Sequence, residues 1–393
     1  MAEWLSIIGI GEDGADGLGK ASRAALAAAE VVFGGPRHLA MIDHPDRRPW
    51  PVSFSPAPVL ALRGRRVAVL ASGDPFWHGA GGSLAASLEP GEWRAFPAPS
   101  VFSLAAARLG WRLEEVACLG LHAAPLARLR PHLAPGARLI VTVRDGAAVT
   151  KLARWLAGEG FGETRLTVME RLGGPAERVR ETTAANLALT DLGPLVAVAL
   201  RVAGEGRVIP RASGLPDDLF EHDGQISKRP VRALALSALA PRPGELLWDI
   251  GAGSGAIGIE WLLAHPATRA IGIEADPVRA ARARGNAARL GVDRLEIREG
   301  RAADLLMSLP DPQAVFLGGG CDAALLAGLW KRLSPGVRLV AHAVTLETEA
   351  LLASWHGEHG GSLVRIELAE AAPLGRRRGW KAAYPLVQWS VAR

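Results

Sequence analysis

The feature that most constrains the fold is the stretch LLWDIGAGSGAIGIEW at residues 246–261. Apolar residues lead into Asp249, three glycines then alternate with small residues, and an apolar helical pattern follows. The pattern predicts a strand, a tight glycine turn that a ligand can approach, and a helix N-terminus with unpaired N–H groups. A second apolar strand ends in Glu274, where such units use a carboxylate to hold ribose hydroxyls. The stretch therefore predicts a nucleoside-binding α/β domain rather than a merely structural turn.

The spacing of the glycines narrows the choice of nucleoside. A dinucleotide-binding turn reads GxGxxG, whereas this turn reads DxGxGxG, which is shorter and leaves no obvious place for a pyrophosphate. The pattern resembles motif I of the class I S-adenosylmethionine-dependent methyltransferases. The resemblance implies a Rossmann-like domain whose cofactor contacts are Gly251, Ala252, Gly253, Ser254, Gly255 and Glu274.

Length, charge and cysteine content set limits on the class of protein. A chain of 393 residues suits two domains of about 200 residues each. The net charge of +5 and the pI near 9.7 fit either an acidic ligand or a nucleic acid. Cys118 and Cys321 have no metal-binding partner pattern, which indicates a reducing compartment and no metal site. No leader and no apolar run near the ~20 residues of a membrane span are evident, so we expect a cytoplasmic protein without a membrane partner.

The first half of the chain alternates short apolar strands with helices, which predicts a mostly parallel sheet. Three glycine- or serine-bearing loops, at 9–14, 72–75 and 99–103, follow predicted strands. Ligands of such sheets bind at the carboxyl ends of the strands. Each loop also has an ordinary explanation, because Asp74 before proline is a turn signal and Ser100 and Ser103 suit helix caps.

Taken together, these loops point to one family. The chain resembles the tetrapyrrole methylases over about residues 1–205. The resemblance rests on a start of two apolar residues and GxG, then SGDP, and then PxxS before a helix. The segment VVFGGPRHL resembles the corresponding sequence of the branch that methylates C5 of a precorrin. The family's usual GPGDP loop reads GEDG in this chain. The resemblance implies a fold of two α/β subdomains with an S-adenosylmethionine site. The implied cofactor contacts are Gly9, Gly11, Gly73, Asp74, Ser100 and Ser103.

A glycine-, proline- and charge-rich stretch at 201–218 reads as a linker, so we expect domains at 1–205 and 206–393. After the linker, GQISK resembles the Gln-x-(Thr/Ser)-Lys element of the C15-methylating, decarboxylating precorrin methyltransferases. That resemblance implies that Gln225 and Ser227 fold over the cofactor, with Ser227 as a plain helix N-cap as the alternative. The resemblance to the class I methyltransferases, in turn, places Ala302 in the adenine-contacting loop.

Two further features suggest a substrate site. The fourth strand ends in FLGGG, where Gly318 and Gly319 would let a large flat substrate approach, and the Asp/Asn-Pro-Pro-Tyr motif of base N-methylases is absent. Cys321 lacks the Pro-Cys context of a nucleophile and is taken as structural.

A predicted loop at 375–381 is either a solvated turn or a clamp for carboxylates. Its candidate substrate contacts are Arg376, Arg377, Arg378, Trp380 and Lys381.

The two resemblances together imply an activity. The N-terminal domain would methylate C5 of precorrin-6B, and the C-terminal domain would methylate C15 and decarboxylate the ring C acetate to give precorrin-8 in cobalamin biosynthesis. They imply two S-adenosylmethionine sites per chain, a tetrapyrrole substrate, no metal, no nucleic acid, and a homo-oligomer (dimer or tetramer). The alternatives are the cobalt-precorrin version of these steps, an RNA or protein methyltransferase, and a tetrapyrrole-binding scaffold with one active domain. The acid–base residue for decarboxylation stays open.

Overall fold

The order of strands and helices in the computed structural model, which describes residues 3–393, is that of two separate α/β units. The first unit comprises the described residues up to Ala124 together with His132–Arg207. The second comprises Pro125–Pro131 together with Val208–Arg393. The change from one unit to the other after Arg207 lies within the glycine- and proline-rich stretch at 201–218. None of the described helices is long and apolar enough to cross a membrane.

The first sheet of the N-terminal unit has five strands in the order β3-β2-β4-β1-β5, and every neighbouring pair is parallel. Its central strands are buried almost throughout, which explains why they read as continuous apolar runs in the sequence. In chain order its elements are β1 (Leu5–Ile10), α1 (Lys20–Ala28), β2 (Val31–Gly34), α2 (Pro36–Leu39), β3 (Arg47–Pro49), α3 (Ala57–Leu60), β4 (Val67–Ser72), α4 (Ala80–Ala85) and β5 (Trp93–Phe96).

The second sheet of this unit corrects one expectation. Its order is β6-β7-β10-β8-β9, and only the β6–β7 pair among the described strands is parallel. The prediction of a mostly parallel sheet throughout the first half is wrong here, because three strands follow one another without the helical crossovers that parallel pairing needs. Its elements are α5 (Val101–Leu109), β6 (Ala117–Gly120), β7 (Arg138–Thr142), α6 (Gly146–Gly158), β8 (Arg165–Glu170), β9 (Arg178–Thr183) and β10 (Val196–Arg201).

The C-terminal unit is built on one seven-stranded sheet of order β13-β12-β11-β14-β15-β19-β16, in which only β19 is antiparallel to its neighbours. The order reverses between β11 and β14, which is where open α/β sheets bind ligands. Its elements are α7 (Arg229–Leu239), β11 (Leu246–Ile250), α8 (Ala256–Ala264), β12 (Arg269–Glu274), α9 (Pro277–Arg289), β13 (Glu296–Glu299), α10 (Ala302–Leu305), β14 (Ala314–Leu317), α11 (Ala323–Arg332), β15 (Arg338–Ala343), α12 (Leu346–His359), β16 (Ser362–Ile366), β17 (Ala369–Leu374), β18 (Arg377–Ala382) and β19 (Leu386–Ala392).

The arginine-rich stretch near the C-terminus is a β-hairpin rather than the predicted loop at 375–381. Strands β17 and β18 pair antiparallel from Ala369↔Ala382 to Leu374↔Arg377. Gly375 opens the two-residue turn with φ 58°, a backbone angle that short hairpin turns require and that glycine adopts without strain. The cluster of charges concealed the strand pattern in the sequence, since neither face of the hairpin is buried.

A buried ion network fixes the start of the C-terminal unit. Arg232 on α7 is fully buried; its Nε donates to Glu260 Oε1 on α8 at 2.8 Å and its Nη1 donates to Asp217 Oδ1 at 2.6 Å. Glu260 also accepts from the backbone N–H of Gly214 at 2.6 Å. These charge-assisted bonds satisfy polar groups that would otherwise be costly inside the unit. They hold the segment before α7 in place.

Candidate functional site

The glycine turn of the C-terminal unit connects β11 to α8 at the carboxyl edge of the sheet. Gly251, Gly253 and Gly255 all have left-handed backbones, with φ of 73°, 56° and 76°, which explains the alternation of glycine with small residues. A Cβ on Gly253 would have no atom closer than 3.9 Å, so the backbone there faces open space. This exposes the turn to a ligand at the N-terminal end of α8.

Glu274 at the end of β12 is directed at this turn. Its Oε2 accepts from the backbone N–H of Gly253 at 2.8 Å, and its Oε1 accepts from the N–H of Asp276 at 2.9 Å. The side chain is 8% exposed. Each carboxylate oxygen keeps a further lone pair, so the group can accept hydrogen bonds from vicinal hydroxyls while it holds the turn.

A cavity of 1190 Å³ lies against the turn. It is larger than the 300–1,000 Å³ or so of ordinary small-molecule sites. Ten of the predicted residues line it: Gln225, Ser227, Gly251, Ala252, Gly253, Ser254, Glu274, Ala302, Gly318 and Gly319. Gly255 does not line it, because this glycine packs against α9, where a Cβ would stand 3.1 Å from that of Ala283.

The GQISK element forms one wall of the cavity and is tied to α9. Gln225 Oε1 accepts from Arg279 Nη2 at 2.8 Å, and Asp223 accepts from Arg279 Nε at 2.8 Å. The interpretation of Ser227 as the N-cap of the next helix is wrong, because Lys228 occupies the N-cap position of α7. The Ser227 carbonyl instead accepts from the buried Arg232, so the element is held from both ends.

The residues of this cavity fit S-adenosylmethionine. Gly253 leaves room for a ligand on the backbone, Glu274 offers carboxylate oxygens at the strand end, and the Gln225 element and Ala302 are part of the lining. The substrate candidates divide into two groups. Gly318 and Gly319 lie in the cavity wall, whereas Arg376, Arg377, Arg378, Trp380 and Lys381 lie on the exposed hairpin and do not line it. Trp380 is 79% exposed.

In the N-terminal unit the three predicted loops pack closely together. A Cβ on Gly9 would stand 1.9 Å from the Gly73 carbonyl oxygen and 2.6 Å from the Ala98 nitrogen, so no larger residue fits there. The Ala98 N–H donates to the Gly73 carbonyl at 3.2 Å. A small cavity of 150 Å³ is lined by Gly9 and Gly11 beside this contact. Gly73, Asp74, Ser100 and Ser103 lie outside its lining.

Two of those residues have clear structural roles. Ser100 is the N-cap of α5, and its Oγ accepts from the Ser103 N–H at 3.1 Å, while the two hydroxyls are 3.0 Å apart. Asp74 Oδ1 accepts from the Phe76 N–H at 2.9 Å and so closes a turn. The turn at Asp74 and the cap at Ser100 are therefore confirmed, whereas Ser103 is not a cap but the third residue of α5. A cofactor contact by these residues remains a prediction.

A polar cluster that the sequence analysis did not single out lies at the ends of β1, β2 and β4. Arg37 forms an ion pair with Glu12, and its Nη2 donates to Ser72 Oγ at 3.0 Å. His38 Nε2 lies 2.9 Å from the same hydroxyl. Burial is the main cause that lowers the pKa of Arg37, and the nearby charge of Arg171 lowers it further. Burial is also the main cause that lowers the pKa of His38 to about 4. The segment VVFGGPRHL could have indicated this cluster, because its Pro-Arg-His sequence directly follows a buried strand.

Comparison with known proteins decides the family. Residues 5–188 match the tetrapyrrole (corrin/porphyrin) methylase family, and residues 218–393 match the precorrin methyltransferase domain. A Sinorhizobium sp protein named precorrin-6Y C(5,15)-methyltransferase (decarboxylating) is 50% identical over 99% of this chain and 96% of its own length. The chain belongs to the family of the precorrin-6Y C(5,15)-methyltransferases. A Mycobacterium tuberculosis (strain CDC 1551 / Oshkosh) protein of the same name is 39% identical over 99% of this chain and 100% of its own length.

A solved structure is similar over part of the chain. The C-terminal domain of precorrin-6Y C5,15-methyltransferase from Rhodobacter capsulatus is 51% identical, with a TM-score of 0.46, and the match covers 47% of this chain and 100% of that one. Membership of the family confirms the expectation of an S-adenosylmethionine-dependent methyltransferase with an α/β fold.

For a methyltransferase of this family, the cavity also contains polar residues that sequence reasoning did not select. They include Asp249, Arg332, His342 and Tyr384. Burial raises the pKa of Asp249 to about 7, and its Oδ2 accepts from the Gly258 N–H at 2.9 Å. The other three carry little local signal, because Arg332 ends α11, His342 lies in β15 and Tyr384 lies between β18 and β19. They reach the cavity only through folding.

Cys321 lacks the environment of a catalytic nucleophile. Burial, followed by the charge of Asp322, raises the pKa of the Cys321 thiol to about 11, and the residue does not line the cavity. A thiol with a raised pKa is a poor nucleophile at neutral pH. Within residues 3–393 no group of three or more His, Cys, Asp or Glu side chains is arranged to hold a metal ion.

Proposed function

We propose that this chain methylates precorrin-6B at C5 and C15 and removes the carboxylate of the ring C acetate as CO2, giving precorrin-8 on the route to cobalamin. The observation that carries the proposal is the shared name of relatives that match along the full length of the chain. The accessible glycine turn and the strand-end carboxylate beside the large cavity support it.

We assign the two methylations to different parts of the chain. Residues 1–205 would methylate C5, with Gly9, Gly11, Gly73, Asp74, Ser100 and Ser103 around the cofactor. Residues 206–393 would methylate C15 and decarboxylate. The separate matches of the two halves to two methylase families support this division. The chain would therefore hold two molecules of S-adenosylmethionine.

In the C-terminal site the protein has to bind and orient, because the reactive group is already activated. S-adenosylmethionine supplies a methyl group on a positively charged sulfur. Glu274 would hold the ribose hydroxyls and the turn at 251–255 would hold the methionine moiety, with Gln225 and Ser227 folding over the cofactor. Fixing the methyl donor against a carbon nucleophile lowers the entropic cost of the reaction.

The basic side chains suit a substrate with many carboxylates. Arg37 would bind one such carboxylate in the C5 site, since the neighbouring charge of Arg171 favours an anion there and the guanidinium fork matches a carboxylate. In the C-terminal unit Arg376, Arg377, Arg378 and Lys381, with Trp380 stacking on the macrocycle, would reach the substrate from the exposed hairpin. The chain's net charge of +5 agrees with an acidic ligand.

The full-length relatives bear the name of the metal-free substrate, so we propose the metal-free precorrin rather than its cobalt form. We further propose a cytoplasmic homo-oligomer, a dimer or tetramer, without nucleic acid. Two alternative functions are an RNA or protein methyltransferase and a scaffold with one active domain. The following experiment distinguishes both from the proposal.

The decisive measurement is mass spectrometry of precorrin-6B after incubation with the full chain and S-adenosylmethionine. We expect a product that has gained two methyl groups and lost CO2. A gain of a single methyl group would indicate one active domain, and an unchanged mass would refute the proposal. A parallel incubation with S-adenosylhomocysteine in place of S-adenosylmethionine is the control and should leave the mass unchanged.

A further inference from the structure

The large cavity of the C-terminal unit extends from the cofactor turn along the edge of the sheet. Strands β14, β15, β19 and β16 lie side by side after β11, and β19 runs antiparallel to β15 and β16. The ends of β14, β15 and β16 and the start of β19 therefore lie at the same edge. One residue at or directly after each of these positions lines the cavity: Gly318, Val344, Ile366 and Leu386. The cavity thus passes across four strands beyond the glycine turn.

The register sets the apolar residues of this edge next to one another. Ile366 pairs with Leu386. Ala343 pairs with Val387, so the next step along these two strands places Val344 beside Leu386. Three neighbouring strands therefore present one continuous apolar surface to the cavity. We call the six apolar residues of this part of the lining the apolar shelf: Val344, Ile366, Leu368, Ala383, Tyr384 and Leu386.

A ligand can reach the apolar shelf. Val344 is 64% exposed and Tyr384 is 91% exposed, and exposed apolar groups that cluster beside a cavity are typical of a binding surface. The charged neighbours Arg365 and Glu367 pair with each other at 3.2 Å and do not line the cavity. The shelf itself carries no charge, so it suits the uncharged face of a ring system rather than a carboxylate.

Open space at Gly319 joins the apolar shelf to the cofactor turn. A Cβ on Gly251 would stand 3.2 Å from the Gly319 carbonyl oxygen, whereas a Cβ on Gly319 would have no atom within 4 Å. Gly319 therefore lies against the turn and also faces open space. A substrate on the shelf can approach a methyl donor at the turn without meeting a side chain at this point.

The width of the apolar shelf matches a large ring system. Neighbouring strands lie about 4.8 Å apart, so the three steps from β14 to β16 span roughly 14 Å. A macrocycle of four pyrrole-type rings can cover this span. A single nucleobase or a single amino acid side chain would leave most of the shelf in water, which does not favour RNA or protein as the methyl acceptor.

Tyr384 is the residue of the apolar shelf that best suits contact with such a ring. The cavity lining contains three aromatic residues, Phe316, His342 and Tyr384. Phe316 and His342 are buried and pack against each other with ring centroids 4.9 Å apart. Within the described lining, Tyr384 is therefore the aromatic side chain that a ligand can reach. Aromatic side chains combine a large apolar contact area with a preferred stacking geometry.

We propose that Tyr384 and the apolar shelf bind one face of the substrate macrocycle and so hold its C15 carbon against the methyl donor. The inference rests on the function proposed above and names the surface that recognises the substrate at the C-terminal site. Tyr384 is a positioning residue, because its ring orients the macrocycle and takes no part in bond formation. This contact is independent of the one proposed for Trp380, which lies outside the cavity lining.

The kinetic test compares Tyr384→Ala and Tyr384→Phe in the full chain. Tyr384→Ala should raise the KM for precorrin-6B in C15 methylation by about 10-fold or more, because the stacking surface is lost. The affinity for S-adenosylhomocysteine and the C5 methylation should not change. Tyr384→Phe keeps the ring and should stay near the wild type. Leu346→Ala removes another apolar side chain that is 80% exposed but does not line the cavity, and it is the matched control.

NMR gives a direct test on the unmodified chain. Tyr384 is the only tyrosine, so tyrosine-labelled protein yields one set of ring signals. With precorrin-6B and S-adenosylhomocysteine, which has no methyl group to transfer, we expect nuclear Overhauser contacts between this ring and the macrocycle. Bound precorrin-6B without such contacts would overturn the inference. A wild-type KM in Tyr384→Ala, or an equal loss in Tyr384→Phe, would overturn it as well. If the wild type binds precorrin-6B but does not convert it, the proposed function fails while NMR still decides the contact.

Discussion

At the scale of single residues, we propose that Glu274 acts at the C-terminal cofactor site and not at the N-terminal one. It accepts from the Gly253 N–H at 2.8 Å and is our candidate for the ribose hydroxyls. Hydrogen bonds to a charged group contribute about 1.5–3 kcal/mol each. Loss of two such bonds in Glu274→Ala should therefore weaken S-adenosylhomocysteine binding at the C-terminal site by roughly 100-fold or more. Calorimetric titration of the full chain measures the effect.

The same variant tests whether the two methylations are separate. With precorrin-6B as substrate, Glu274→Ala should add the C5 methyl group and retain the ring C acetate, which mass spectrometry detects as one methyl gained without loss of CO2. Glu299→Ala, on the exposed end of the neighbouring strand β13, serves as the control. Simultaneous loss of both methylations would mean that the assignment of separate sites is wrong.

Arg37 provides the corresponding test in the N-terminal unit. Its guanidinium contacts Glu12 and Ser72 and lies near the charge of Arg171, so it is our candidate for a substrate carboxylate. Replacing Arg37 with alanine should raise the KM for C5 methylation by about 10-fold or more, since a charge-assisted hydrogen bond is lost. C15 methylation should be unaffected. Steady-state kinetics on precorrin-6B, with each methylation followed separately, measure both effects.

Two further variants serve as controls for the Arg37→Ala result. Arg37→Lys keeps the charge but loses the bidentate fork, and we expect an intermediate KM. Arg48→Ala removes an exposed ion pair with Asp46 and should change little, because such pairs contribute little to stability. Equal KM values for wild type and Arg37→Ala would exclude Arg37 as a substrate contact.

At the scale of elements, the ion network of Arg232 holds the segment before α7 on α8. Arg232→Ala leaves the Glu260 carboxylate buried without its cation, which costs about 3–5 kcal/mol in comparable cases. We expect the thermal transition of the C-terminal unit to move to a lower temperature, and the GQISK element to loosen because the Ser227 carbonyl loses its donor. Calorimetry measures the transition, and hydrogen exchange at residues 224–228 measures the loosening.

The control for this prediction lies on the same helix. Arg229 is exposed at the start of α7, and Arg229→Ala should leave the transition nearly unchanged. An unchanged transition in Arg232→Ala would show that the network contributes specificity of packing rather than stability.

The sequence was informative where chemistry depends on neighbours along the chain. The strand, turn and helix around Gly253, and the carboxylate that ends the next strand, were predicted because their geometry is local and their residue types are restrictive. His342 and Gln388 form a pair across 46 positions of the chain, and no local pattern marks such a pair. The sequence predicts a loop where β17 and β18 form a hairpin, because neither face of the hairpin is buried and no apolar alternation reveals it.

At the scale of the whole molecule, the central question is whether one chain contains two independent cofactor sites. The two families matched by the two parts of the chain are both methylase families, yet the two cavities differ greatly, at 150 Å³ beside Gly9 and 1190 Å³ beside Gly253. A cofactor site at the smaller cavity would need local adjustment before it accepts a nucleoside. We therefore expect the two sites to bind the cofactor with different affinities.

Titration with S-adenosylhomocysteine should accordingly show two equivalents per chain in two separable phases. A ligand at 100 times its dissociation constant stabilises the fold that binds it by about 2.7 kcal/mol, so each phase should raise the unfolding temperature of one unit. In Glu274→Ala the phase that belongs to the C-terminal unit should disappear while the other persists. A single equivalent in the wild type would instead indicate that the N-terminal site has lost its cofactor, and the chain would then act as a C15-methylating, decarboxylating enzyme alone.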